Sequence, residues 1–205
     1  QGNPAGRGSV RSNVSAIKKI LDHAISAWKI EFTNPIQSLK LIGDSPGRER
    51  TITEDEWAAI IGKMQKGRTE QTTIDAIEFA RATAVRREEA SNVLWKDTNL
   101  IKKTTLLRDT KSVDGQYRER LIPLNKKAIE IITKILGERD INTMTGAIFT
   151  NKRGQRIPPD TITQAWGRAR DAVAKERKDP SIKTARVHDL RHTRITELGS
   201  YLTAA

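Results

Sequence analysis

Apolar residues recur at helical spacing in five stretches of this chain, and alternate with polar ones in a single region between them. Val14, Ile17, Leu21, Ala24 and Trp28 follow Ser9 and Ser12 and predict one amphipathic helix, ended by Asn34-Pro35. Gly43 to Arg50 mixes turn formers with charge and reads as a linker. Thr53-Glu54-Asp55-Glu56 is a capping box ahead of Trp57, Ile60, Ile61 and Met64, and a further helix runs from about Thr72 through Ile74 and Ile77 to Val85. From Val93 to Leu124 the pattern shortens to β-favouring segments, Thr104 to Leu107 and Tyr117 to Ile122, divided by Asp114-Gly115, which predicts a small antiparallel sheet or hairpin. Asn125 then caps a helix with Ile129, Ile132 and Leu136. Ala147 to Phe149 suits a short strand, Pro158-Pro159-Asp160 opens a helix with Ile162, Trp166, Ala169 and Val173, and a last helix starts near Asp189. The predicted class is α+β, mainly helical, with one small antiparallel sheet.

Composition narrows the function classes. The 205 residues, 36% of them hydrophobic, suit one sizeable domain with part of a neighbour. Lys and Arg number 37 against 25 acidic residues, a formal net charge of +12, which favours a polyanionic partner and says nothing of catalysis. With no cysteine there is no disulfide framework, thiolate metal site or thiol nucleophile. Neither a membrane span nor a signal peptide is indicated, and the expected location is the cytoplasm. RNA binding is disfavoured, because three phenylalanines and two tyrosines form no cluster resembling a stacking platform.

Three constellations carry chemistry. His188 and Arg191 stand three apart at the start of the last helix, so an imidazole and a guanidinium share one face and can address one phosphate. The plain alternative is a capped helix start with Asp189 near the dipole and His192 partly buried. Arg86 and Glu89, at the end of the helix through Ile77, are a second pair at the same spacing. As a surface ion pair they do little; alternatively the carboxylate orients the arginine and leaves part of its fork for a phosphate. Lys111 precedes the predicted turn, where a lysine is ordinarily solvated but can also reach a narrow groove and protonate a leaving oxygen.

In this order, Thr83-Ala84-Val85-Arg86-Arg87-Glu88-Glu89, Thr110-Lys111 with Arg120-Leu121-Ile122-Pro123-Leu124, and His188-Asp189-Leu190-Arg191-His192-Thr193 resemble the motifs of the tyrosine recombinase and phage integrase family. Ala84 stands where the family usually has glycine. The resemblance implies that residues 1–46 are the end of a core-binding domain, one helix and a linker, and that residues 47–205 are a catalytic domain of tyrosine-recombinase fold without its C-terminal part. It implies site-specific DNA recombination or integration through a 3′-phosphotyrosine, without metal or cofactor. Arg86 and Arg191 would hold the non-bridging oxygens. Lys111 would protonate the leaving 5′ oxygen, and His188 would exchange protons with the nucleophile. Glu89 and His192 would support them.

In that family the nucleophilic tyrosine follows the His-x-x-Arg motif on a later element. Tyr117 falls in the predicted hairpin and Tyr201 lies ten residues past Arg191, so neither suits the role. The expectation is a fragment that binds but does not cleave DNA. Its partners would be double-stranded attachment sites, with four protomers on two sites when full length and accessory DNA-bending proteins. Other readings are a non-catalytic DNA-binding or architectural protein derived from an integrase, and a type IB topoisomerase-like enzyme.

Overall fold

A computed structural model of the chain describes residues 6–39, 50–111 and 117–203. The chain separates into two units, residues 1–48 and 49–205. In the first, helix α1 (Arg7–Ser26) begins earlier than the apolar pattern indicates and stops short of Trp28. Trp28 instead sits edge-on to His23, ring centroids 5.5 Å apart. Buried Asn34 donates to Asp22 Oδ1 at 2.7 Å and accepts from the Ile36 amide at 3.0 Å, while Lys18 Nζ donates to the Gln37 carbonyl at 2.9 Å. These polar bonds hold the segment after α1 against it. Ala24 is buried and Val14 and Leu21 are half-buried, but Ile17 and Ile20 of α1, and Trp28 after it, stay exposed. The linker positions from Gly43 to Glu49 lie outside the described residues.

The second unit is built on helices α2 (Glu54–Lys66), α3 (Gln71–Thr83), α4 (Arg87–Ser91), α5 (Lys126–Leu136), α6 (Pro159–Arg177) and α7 (Val187–Thr203). Local chemistry sets their starts. Thr53 and Glu56 form the anticipated capping box on α2, Asn125 Oδ1 accepts the Ala128 amide at 2.9 Å on α5, and Pro159 occupies the first turn of α6. Helix α3 is central, touching α5, α6 and α7, and α2 packs on α6. Ile74, Ile77 and Phe79 of α3 meet Ile132, Phe149, Ile162 and Trp166 in one buried core. Removing each such side chain from water stabilises the fold by about 1.5–3 kcal/mol. The Thr193 hydroxyl, also buried, accepts the Ile52 amide and donates to the Asp189 carbonyl, both at 2.8 Å, and so ties the start of the unit to α7.

The sheet has three strands rather than two, in the order β1 (Thr98–Asn99), β2 (Thr104–Lys111), β3 (Tyr117–Pro123), all antiparallel. Its register pairs Leu107 with Arg120 and Lys111 with Tyr117, with an irregularity between Leu107 and Thr110. The Asp114-Gly115 turn lies outside the described residues. Ala147 to Phe149 is not a strand: only Ala147 makes a bridge, to Leu94, and the Ile148 amide bonds the Val93 carbonyl at 2.9 Å. The segment is fixed by that short pairing and by burial of Ile148 and Phe149. The unit is thus mainly helical with one small antiparallel sheet, as the alternation of patterns predicts.

Candidate functional site

The site forms where a broken helix meets the start of α7. Periodicity carries α3 through Val85 and puts Arg86 near its end; the helix stops at Thr83, and Ala84 adopts the left-handed conformation (φ 54°, ψ 26°). The chain then turns, and Arg86 becomes the residue that caps α4. As a capping residue, Arg86 projects from a helix end instead of lying along a helix side. Glu89, in the first turn of α4, accepts the Arg86 amide at 2.7 Å on one carboxylate oxygen and Arg86 Nη1 at 2.9 Å on the other. One side chain satisfies an otherwise orphaned helix-start amide and orients the guanidinium above it.

Glu89 also receives a third donor that local sequence does not reveal. Arg120 of β3 places Nη2 2.8 Å from the Glu89 oxygen that takes the Arg86 amide. Glu89 is buried, while the Arg86 and Arg120 side chains remain 50% and 37% exposed, so the carboxylate sits beneath two partly open guanidinia. The only sequence signal for Arg120 was its place in the strand after Lys111, in a segment whose partners are set by register and packing.

Arg191 comes from the other side. Its Nη1 donates to the carbonyl of Ala84, so the left-handed turn that ends α3 also anchors this arginine. Partial burial, and then the charges of Arg86 and Arg120, lower its pKa from the usual arginine value, against the opposing pull of Glu89. Arg86, Arg120 and Arg191 therefore lie within electrostatic reach of one another around a single carboxylate. Such a surplus of fixed cations has the chemistry to receive an anion.

His188 stands at the beginning of α7, which starts at Val187, earlier than the pattern near Asp189 suggests. Buried Asp189 accepts the Arg186 amide at 2.8 Å and holds this start in place. His188 and Arg86 line the same cleft, of about 440 Å³. The rings of His188 and His192, one turn apart, meet edge-on at 4.9 Å. Although His188 is largely exposed, partial desolvation lowers its pKa from 6.5, and the charges of His192, Arg191 and Arg86 act in the same direction while Asp189 opposes them. The shift favours the neutral form of the ring, which can accept a proton beside the arginines.

Arg86, Glu89, His188 and Arg191 are thus brought together, with His192 against His188. The backbone of Lys111 closes β2 opposite Tyr117, and its side chain lies outside the described part of the chain, as does that of Tyr201 on α7. Among the described residues no three His, Asp or Glu side chains converge to hold a metal ion, and no helix is long and apolar enough to cross a membrane.

Comparison with known proteins bears on what such a site belongs to. The sequence model of the phage integrase family matches residues 50–200. The chain belongs to the phage integrase family. An integrase of Salmonella phage P22 is 25% identical over 93% of this chain and 46% of its own length. A Haemophilus influenzae relative is 30% identical over 131 residues, 62% of this chain and 42% of the other. The chain therefore spans less than half the length of these two family members. Among solved structures, the Tn1549 transposon integrase in complex with transposon right end DNA superposes with a TM-score of 0.73 at 17% identity, covering 96% of this chain and 68% of that one. A lambda integrase dimer bound to a core site gives 0.65 at 18% identity, covering 92% and 65%. The fold of the second unit is that of the family's catalytic domain.

Proposed function

We propose that the complete protein breaks and rejoins duplex DNA as a tyrosine recombinase, and that this site grips the phosphate at which the strand is cut. The observation that supports the reading most is the convergence of Arg86 and Arg191, with His188 beside them, on the ground prepared by Glu89. Two guanidinia facing one phosphate would hold its non-bridging oxygens and offset the charge that gathers as the phosphorus becomes five-coordinate. A neutral imidazole at the same place can take the proton of an attacking phenol. Lys111, at the end of β2, is the residue we assign to protonate the leaving 5′ oxygen.

The nucleophile in this proposal is neither Tyr117 nor Tyr201. Tyr117 pairs with Lys111 in the sheet. Tyr201 is ten residues from Arg191 on the same helix, about 15 Å along its axis at 1.5 Å per residue, beyond the reach of a tyrosine side chain. The 205 residues alone should bind DNA without cutting it. We assign residues 1–46 to the end of a core-binding domain and a linker, which the uncovered apolar residues of α1 support.

Binding of a labelled DNA duplex by the 205-residue chain tests this reading. Arg86→Ala and Arg191→Ala should each weaken binding by about tenfold or more, as loss of a charged phosphate contact does. Lys175→Ala, at an exposed position of α6, should change it far less. Equal losses in all three would mean that diffuse charge, not a formed site, holds the DNA.

A further inference from the structure

The cleft that contains Arg86 and His188 extends beyond them. Its far part is lined by Thr163, Gly167 and Arg170 of α6 and by Arg186, just before α7. Thr163, Gly167 and Arg170 fall at helical spacing on one face of α6, so this helix forms one wall. Trp166 Nε1 and Arg170 Nη1 both donate to the Ala185 carbonyl, at 3.0 and 3.1 Å, and fix the backbone that presents Arg186.

The arginines of this cleft differ in how fully they are engaged. Arg87 bonds Thr163 at 2.7 Å and pairs with Glu88 at 3.1 Å and Asp160 at 3.5 Å. Arg170 pairs with Asp171 at 2.8 Å, and Arg86 with Glu89 at 2.9 Å. The exposed Arg186 guanidinium has no hydrogen-bond or ion-pair partner among the described residues, although its amide is held by Asp189. Its cation is presented on a fixed backbone and left for something else.

Gly167 points the same way. It sits within α6, where glycine weakens a helix relative to alanine. Among the described residues neither packing nor backbone conformation calls for it: a Cβ built there meets no atom within 4 Å, and φ is not positive. A glycine unneeded for the chain's own packing, on the wall of a basic cleft, leaves room for a ligand backbone to approach the helix.

We propose that this part of the cleft holds a second phosphate of the DNA strand, next to the one gripped by Arg86 and Arg191, with Arg186 as its cation and Gly167 as the point where the sugar-phosphate chain passes α6. The assignment rests on the DNA-binding reading of the site and adds a neighbouring subsite to it. No base is read here, so the subsite contributes affinity and strand direction without sequence preference.

The test is duplex binding by the 205-residue chain at several salt concentrations, with Arg186→Ala, Gly167→Ala and Gly167→Leu. Arg186→Ala should reduce the slope of log affinity against log salt by about 0.9, the signature of one lost phosphate contact. Gly167→Ala should not lower the thermal midpoint, since its Cβ enters open space. Gly167→Leu should weaken DNA binding by about tenfold, as overpacking of an occupied contact does. An unchanged salt slope for Arg186→Ala overturns the proposal and assigns the cleft to another occupant, such as an acidic protein segment. If Gly167→Leu does not fold, the Arg186 slope decides alone. Losses in Arg86→Ala and Arg191→Ala with wild-type binding in the cleft variants would refute the second subsite and spare the first. Wild-type binding in all of them would refute both.

Discussion

Replacing Glu89 by glutamine keeps the shape of the side chain and removes the charge on which two arginines converge. Glu89 is buried and accepts from the Arg86 amide at 2.7 Å, Arg86 Nη1 at 2.9 Å and Arg120 Nη2 at 2.8 Å. Hydrogen bonds to a charged group contribute about 1.5–3 kcal/mol, and a lost helix cap costs about 1 kcal/mol. Both guanidinia are partly open to water, which recovers some of the first figure, and the amide oxygen of glutamine can keep the cap. A loss of about 2–3 kcal/mol is therefore expected for Glu89→Gln. Urea unfolding followed by fluorescence of the buried Trp95 and Trp166 measures it, with the midpoint falling at constant slope. DNA binding separates two roles for the carboxylate. The substitution adds one unit to a formal charge of +12, so if bulk charge governed binding the variant would bind DNA more tightly. If Glu89 aims Arg86 and Arg120, binding weakens despite the added charge. A stability change below about 0.5 kcal/mol together with tighter DNA binding would refute the argument for a positioned cluster.

Ala84→Gly should stabilise the domain by about 1 kcal/mol, because a left-handed alanine is strained and glycine is not, with part of the gain lost to the unfolded chain. DNA affinity should be unchanged, since the carbonyl that anchors Arg191 remains; a lowered urea midpoint would contradict the left-handed cap. His188 supplies a pH test. Its folded pKa lies below the ordinary 6.5, so just under pH 6.5 the unfolded chain binds more protons. The stability it contributes is fully present above pH 6.5 and is lost as pH falls through the lower folded value. His188→Gln should flatten urea midpoints across that window, and an equally steep decline in the variant would assign the titration elsewhere.

Local order was legible in the residues, because caps and periodicity act within a few positions. Thr53 with Glu56, Asn125 and Pro159 begin helices as their chemistry dictates, and the pairs Arg86–Glu89 and His188–Arg191 are close because both members lie within one turn. Apolar pattern alone also set the mainly helical class with its small sheet. Periodicity failed where a helix breaks without a glycine to mark it: Ala84 conceals the end of α3, and so conceals that Arg86 opens α4. It failed again at Ala147 to Phe149, where Ile148 and Phe149 are buried without forming a strand. The membership of the candidate site was decided by packing. Arg120 reaches Glu89 from 31 positions away, and Arg191 reaches the Ala84 carbonyl from 107 away. Sequence spacing carries no record of contacts at such separations, because they arise only when the core of α3, α5, α6 and α7 closes and brings a strand, a helix start and a helix end to one place.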